Sequence, residues 1–285
     1  MSMKPTSKSF PGMVFCIVCG SVLAQDATRP TARPSASHEE AIKRFVEECV
    51  AIRPGTGRFP GKFQLGQVKP RKHERAAFEA TFETDFRISR YEMTQELYLA
   101  VTGNNPSRWK GPRNSVEQVT FEEAQKFCES LTAMLHKRNL IRLDEAVRLP
   151  TAKEWEYCCR AGSSTLYGFG DAPGPGGSTE LLDAHAWHTG NAAGHDPAVG
   201  VLKGNAWGLH DMHGYLWEFV DNSTADGDSM ASSDSVEIRS GSWRDKHPLL
   251  SCATYLKVAK SKSGDHIGFR CVIAENPTLK KPPAR

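Results

Sequence analysis

Residues 148–162 read RLPTAKEWEYCCRAG, and residues 205–219 read NAWGLHDMHGYLWEF. The first stretch carries Thr151 and, three residues on, Glu154, the spacing of a capping box in which each side chain satisfies an orphan backbone donor at a helix start. A helix bearing Trp155, Tyr157 and Cys158 is therefore expected. The second stretch shows neither helical nor strand periodicity. Gly, Asn, Asp, Trp and Tyr cluster around it over residues 161 to 222. Long irregular segments inside a compact domain need support from disulfides, ions or aromatic packing. Six tryptophans and six cysteines beyond residue 24 can supply it.

Upstream, Thr120 and Glu123 repeat the capping box, and Val119 can staple to Ala124 across it. Phe121, Ala124, Cys128, Leu131 and Leu135 then recur on one face of a helix. Another helix is expected from near Thr94, carrying Leu97, Tyr98 and Val101, and a short one over Glu39 to Val50, with Ala41, Phe45, Val46 and Cys49 on one face. PGTGRFPGKFQLG (54–66) has the punctuation of turns joining short strands. Residues 25–38 read as a flexible lead-in. The expected organisation is a signal over 1–24, a linker with a short helix over 25–53, one domain over 54–274 and a disordered tail over 275–285.

Lys4 and Lys8, the apolar run Met13 to Ala24, and Val22-Leu23-Ala24 as a small-residue cleavage site make the first 24 residues a secretory signal. The run is too short to span a bilayer comfortably, so no retained membrane span is expected, and the mature chain is expected to be secreted or periplasmic. Cys16 and Cys19 lie in the apolar run, where cysteine behaves as a small hydrophobe. In an exported chain the remaining even count (Cys49, Cys128, Cys158, Cys159, Cys252 and Cys271) favours disulfides over zinc, with 15 connectivities open. A formal charge of only +3, with no basic stripe interleaved with aromatics, argues against nucleic-acid binding.

The chain has no GxSxG elbow, phosphate loop or HExxH zinc helix. Histidines concentrate late, at His185, His188, His195, His210, His213, His247 and His266. The pairs His185/His188 and His210/His213 have HxxH spacing, but nothing identifies a third ligand. Asp226, Asp228 and Asp234 sit in a run over 223–237 read as a solvated, mobile surface loop rather than a calcium loop. The pattern Asp211 to Glu218 is different. A tight turn at Gly214 lets backbone carbonyls and two carboxylates converge on one hard cation such as calcium.

Six segments in order resemble the sulfatase-modifying-factor family, whose best-known member is the formylglycine-generating enzyme. They are FRISRYEMTQELYLAVTGNNPSRW (86–109), FEEAQKFC (121–128), RLPTAKEWEYCCRAG (148–162), NAWGLHDMHGYLWEF (205–219), RSGSW (239–243) and HIGFRC (266–271). The resemblance implies an α+β, elaborated C-type-lectin-like fold, low in regular structure, disulfide-stapled and carrying structural calcium. By the same resemblance Cys128 bonds Cys271 and Cys159 bonds Cys252. Asp211 and Glu218 offer calcium their side-chain oxygens, while Gly214 and Leu216 offer carbonyls.

One departure bears on function. In the enzyme, two closely spaced cysteines after the GGSW-like residues bind copper(I), which prefers soft thiolates. Here Arg244 to Ser251 is shorter and holds no cysteine, and His247 is its only soft-leaning ligand. Copper at this position is not expected. Three functions follow in order: a non-catalytic binding module for a peptide, glycan or protein, that is, a pseudoenzyme; an oxidoreductase using iron on His185, His188, His210, His213 or His247; and sulfatase maturation.

Overall fold

The computed structural model describes residues 36–172, 174, 178–193, 196–221, 234–276 and 278. All of them fall within one compact unit, Pro34–Arg285. The expected signal over 1–24, with Cys16 and Cys19, lies outside the described residues, as do His195, Asp226 and Asp228 and most of the expected tail. Among the described residues no helix is long and apolar enough to cross a membrane.

Two boxes of four residues start the two best-defined helices. At α3 (Phe121–Lys137) the Glu123 amide donates to Thr120 Oγ1 at 3.3 Å, and the Thr120 amide donates to Glu123 Oε2 at 2.8 Å. At α4 (Ala152–Arg160) the same exchange joins Thr151 and Glu154 at 3.2 and 2.8 Å. Arg148 closes a fork on Glu154, with both guanidinium nitrogens at 2.7 Å, so the cap is also an ion pair. Phe121, Ala124, Cys128, Leu131 and Leu135 form the buried face of α3, as their spacing predicts.

The helix α1 spans Ala36–Glu48, ending two residues before the expected Val50. Cys49–Ile52 instead form the strand β1, because their backbone pairs antiparallel with β4 (Phe86–Ser89). Residues 36–52, expected at the end of a linker, thus bury Ile42, Phe45 and Ile52 in the core. The turn-rich stretch from 54 yields β2 (Lys62–Leu65), which pairs with β3 (Phe78–Thr81). The helix α2 runs Gln95–Thr102, as expected.

The central antiparallel sheet has the order β1–β4–β10–β5, with β5 at Glu145–Arg148 and β10 at Val272–Glu275. Alternation along a strand sends neighbouring side chains to opposite faces. Val272 and Ala274 accordingly pack with Trp155 and Tyr157, whereas Ile273 and Val147 pack with Phe127 and Leu131 of α3. A second sheet has the order β8–β7–β6–β9: Leu256–Ala259, Ser235–Arg239, Trp217–Val220 and Ile267–Gly268, with β6 and β9 parallel. Residues 235–237 therefore belong to a strand rather than to the expected solvated loop, since each pairs with β8.

Most of the described residues between 161 and 221 lie outside regular elements; α5 is only Glu180–Asp183. Side-chain hydrogen bonds and rings hold them. Asn205 Nδ2 donates to the Cys158 carbonyl at 2.8 Å, and its Oδ1 accepts from the amides of Trp207 and Leu209. The Trp207 ring meets Tyr157 and Phe59 edge-on at 4.7 and 4.8 Å.

At the junction of the two sheets, Arg270 and Glu218 are both fully buried. Arg270 Nε lies 2.7 Å from Glu218 Oε2, and Nη2 lies 2.8 Å from Oε1. Trp155 Nε1 donates to Oε2 at 2.7 Å, and Arg270 Nη2 also donates to the His210 carbonyl at 3.0 Å. Removing one partner of such a pair strands a charge in a low dielectric. Arg270→Ala is therefore expected to cost about 3–5 kcal/mol in urea unfolding. The double variant Arg270→Met, Glu218→Leu should lose less than that single change.

Candidate functional site

After Gly241-Ser242-Trp243 the chain folds back on itself through Asp245, whose Oδ2 accepts from Ser242 Oγ at 2.6 Å and Trp217 Nε1 at 2.8 Å. A single 3₁₀ turn, His247–Leu250, follows, then Cys252. No thiol lies between Trp243 and Cys252. Trp243 faces a cavity of about 250 Å³ that Trp109, Trp187 and Tyr215 also wall. Three carboxylates line it: Glu117, Asp196 and Asp265. Arg244 and Arg108 both pair with Asp265, at 2.6 and 3.3 Å, and lie over Trp243 and Trp109.

The other two acids accept only from neutral donors among the described residues. Asn114 Nδ2 reaches Asp196 Oδ2 at 2.6 Å, and the amides of Arg108 and Trp109 reach Glu117 Oε1. Glu117 Oε2 is buried with no hydrogen-bond partner among the described residues. Burial pushes the Glu117 carboxyl above its ordinary range, against those two amides. Burial likewise raises Asp196, against its Asn114 hydrogen bond.

A second constellation lies beneath the 3₁₀ turn. Cys159 lies in the last turn of α4, His213 precedes β6, and Cys252 follows the turn; all three are buried, with their ligand atoms within 4.8 Å of one another. The two sulfurs are 3.5 Å apart, and Cys159 Sγ is 3.5 Å from His213 Nε2. Burial opposes a charge at Cys252, but the Cys159 S–H and the His213 ring outweigh it and hold the thiol down to about 5. Burial and the neighbouring Cys252 push Cys159 well up. Cys128 and Cys271 form the other expected pair, 3.6 Å apart. All four are thiols in this structure, so both expected pairs are neighbours without being bonded.

The residues expected to hold calcium share one turn and the start of β6. Asp211 Oδ2 accepts from the Gly200 amide at 2.8 Å, and the Gly214 carbonyl accepts from Ser240 Oγ at 3.2 Å. Leu216 gives its amide to Glu92 Oε1 at 3.1 Å. Glu218 is the decisive member. Arg270 sits across both of its oxygens, where a cation would have to bind, so this donor set fits an internal ion pair rather than calcium.

The histidines proposed for iron are not gathered. His185 Nδ1 bonds the Leu181 carbonyl, His188 pairs with Asp183 at 2.7 Å, and His210 bonds the Leu202 carbonyl. His213 alone joins a ligand cluster, and its partners are sulfurs. Neither that cluster nor the cavity was visible in the sequence. Cys159, His213 and Cys252 are separated by 54 and 39 positions, and no local spacing links them.

The paired sheets, capped helices and long hydrogen-bonded loops define an α+β domain of the C-type-lectin-like kind. The chain belongs to the sulfatase-modifying factor enzyme 1-like family, whose model matches residues 36–275. It is 31% identical to the formylglycine-generating enzyme of Mycobacterium tuberculosis over 157 residues, covering 44% of this chain and 50% of that enzyme. It is 27% identical to chaperone protein LppX of Paenibacillus barcinonensis over 184 residues, covering 48% of this chain and 63% of that protein. The match thus spans about half to two thirds of these relatives. Among solved structures, PvdO from Pseudomonas aeruginosa superposes with a TM-score of 0.63 at 26% identity, covering 80% of this chain and 94% of that one. Treponema denticola variable protein 1 gives 0.64 at 21%, covering 80% and 95%.

Glu92, beside this turn, carries a pH dependence. It accepts from the Ser115 hydroxyl, and burial, then the charges of Glu218 and Asp211, push its carboxyl well above 4.5. Between 4.5 and that raised value the folded state binds more protons than the unfolded one, so stability falls as pH rises. Glu92→Gln mimics the protonated acid. It should match the wild type near pH 4.5 and melt higher than the wild type at pH 8, as read by thermal unfolding across that range.

Proposed function

We propose that this protein is an exported, non-catalytic binding module whose aromatic cavity holds a basic side chain of a peptide or protein partner. The observation that carries the reading is Glu117. A buried carboxylate oxygen with no partner is costly, and a ligand that donates to it removes that cost. Trp109, Trp187, Trp243 and Tyr215 wall the cavity, and a cation is attracted to aromatic ring faces within about 6 Å. Two guanidinium groups share Asp265, which leaves Glu117 and Asp196 as the cavity's acids without a cationic partner among the described residues. That one relative is named a chaperone supports a protein partner.

Formylglycine generation does not fit the donor set. Copper(I) chemistry of that kind needs a soft thiolate pair, and Arg244 to Ser251 offers none. Asp245, in that segment, is already tied to Ser242 and Trp217. Incubated with copper(I), oxygen and a sulfatase-type Cys-x-Pro-x-Arg peptide, the mature protein should produce no mass loss on the cysteine beyond a metal-only control.

The binding reading is tested by calorimetry with two capped tripeptides, acetyl-Gly-Arg-Gly-amide and acetyl-Gly-Glu-Gly-amide. The arginine peptide should saturate and the glutamate peptide should not. Glu117→Gln should weaken the arginine peptide roughly tenfold or more, the loss of one hydrogen bond between charged groups. Equal binding of both peptides, or an unchanged affinity in the variant, would sink the proposal.

A further inference from the structure

The aromatic cavity carries charge of both signs, and a basic side chain answers only the negative one. Arg108 and Arg244 are 59% and 45% exposed, whereas Asp265 between them is 7% exposed. Each guanidinium carbon lies 4.7 Å from the centre of a tryptophan ring, Arg108 over Trp109 and Arg244 over Trp243. Those two rings and Asp265 are walls of the cavity, so two planar forks are held at its mouth.

Two guanidinium charges on one carboxylate leave the mouth positive. His266 Nδ1 also stands 3.4 Å from Asp265 Oδ1, but burial holds that ring below its ordinary 6.5, with the charge of Arg244 acting in the same direction, so it is neutral at pH 7. The forks are only partly used. Arg244 gives Asp265 its Nη2, at 2.6 and 2.8 Å, and Arg108 gives its Nη1, at 3.3 Å. Nε and Nη1 of Arg244, and Nε and Nη2 of Arg108, have no acceptor among the described residues. A carboxylate with two oxygens is the acceptor such forks match best.

The separation of the two charges is set by a residue of fixed reach. The Arg108 amide donates to Glu117 Oε1, while the guanidinium of the same residue reaches Asp265. Glu117 and the mouth are therefore no further apart than one arginine residue extends. A bound arginine lying alongside Arg108 in the opposite sense brings its own guanidinium to Glu117 and its main-chain carboxyl to Arg108 and Arg244. Burial first, then the nearby charges of Asp265 and Asp196, raise the Glu117 carboxyl against its two amides, as expected where the three acids share one space.

We infer that the cavity takes a basic amino acid with a free main-chain carboxylate, as at the C-terminus of a peptide, with the side chain at Glu117 and the carboxylate at Arg108 and Arg244. The inference rests on the binding reading above and narrows it from any exposed basic residue to one at a chain end. A residue within a chain offers the mouth a neutral carbonyl; a terminal one offers an anion, and hydrogen bonds between charged groups are roughly twice as strong as neutral ones.

The test is calorimetry on the full mature protein with two forms of acetyl-Gly-Arg, the free acid and the C-terminal amide. The acid should bind roughly tenfold or more tightly than the amide. Arg244→Gln and Arg108→Gln, both at exposed positions, should each bring that ratio toward one, whereas Arg244→Lys, which keeps the charge without the planar fork, should retain part of it. Ratios are taken on variants whose thermal unfolding matches the wild type. Free L-arginine, titrated in parallel, separates the two sources of this chemistry: weaker binding than the dipeptide acid assigns a peptide end, and tighter binding assigns the amino acid itself. Acid and amide that bind alike overturn the inference and leave the cavity reading standing, while failure of both to bind overturns the two together. A preference for the acid that survives both glutamine changes overturns it as well.

Discussion

The pair of Glu218 and Arg270 is the interaction on which the rest of the architecture turns. Glu218 lies on β6 of one sheet, and Arg270 lies just before β10, the strand inside the other. The guanidinium reaches the backbone of Ser89, Arg90 and His210, and the carboxylate takes the indole N–H of Trp155 from α4. One ion pair therefore sets the spacing between two sheets, a helix and the long loop before β6. Two charges buried together are tolerated only when each lone pair and proton is met, and here they are. The same pairing removes Glu218 from any role as a cation ligand.

A second buried network repeats the arrangement at Glu156, the residue after Trp155 on α4. Glu156 takes Arg160 on one oxygen at 2.9 Å and Arg239 on the other at 3.0 Å, and the Gly66 amide joins the first. It anchors α4 to β7 and to the loop after β2, and so fixes where Cys159 stands. Ionic contacts do in this domain what periodic apolar packing does in a helical bundle. That is how a long segment with little regular structure holds side chains such as Trp187, Tyr215 and Trp243 around a cavity.

What could be read from the sequence follows the range of the forces involved. The boxes at Thr120/Glu123 and Thr151/Glu154 are complete within four residues, so their helices were legible, as was the apolar face from Phe121 to Leu135. The end of α1 was not, because Cys49–Ile52 are drawn into a strand by β4, almost forty positions away. Ser235 to Glu237 look like the end of a polar loop until Ala259 to Lys257 lie alongside them. At the site, the absence of a thiol pair after Trp243 was plain from the residues. The family resemblance paired Cys159 with Cys252, but the imidazole beside them depends on how the turn at Gly214 is aimed. That glycine has φ of 123°, and a Cβ on it would fall 2.2 Å from the Trp187 carbonyl oxygen. Only tertiary structure shows which way His213 then points.

The position of β10 has a consequence for synthesis. It is inserted between β4 and β5, so strands separated by more than 120 residues meet in the middle of the sheet rather than at its edge. Until Val272–Glu275 are available, β4 has only β1 beside it, and β5 has no partner in that sheet. Non-local pairing of this kind slows folding, because loop closure must precede the contacts that reward it. A nascent chain that extends through β6 but not to Arg270 still holds unpaired strands and the unneutralised carboxylate of Glu218. Completion of the central sheet therefore waits for β10.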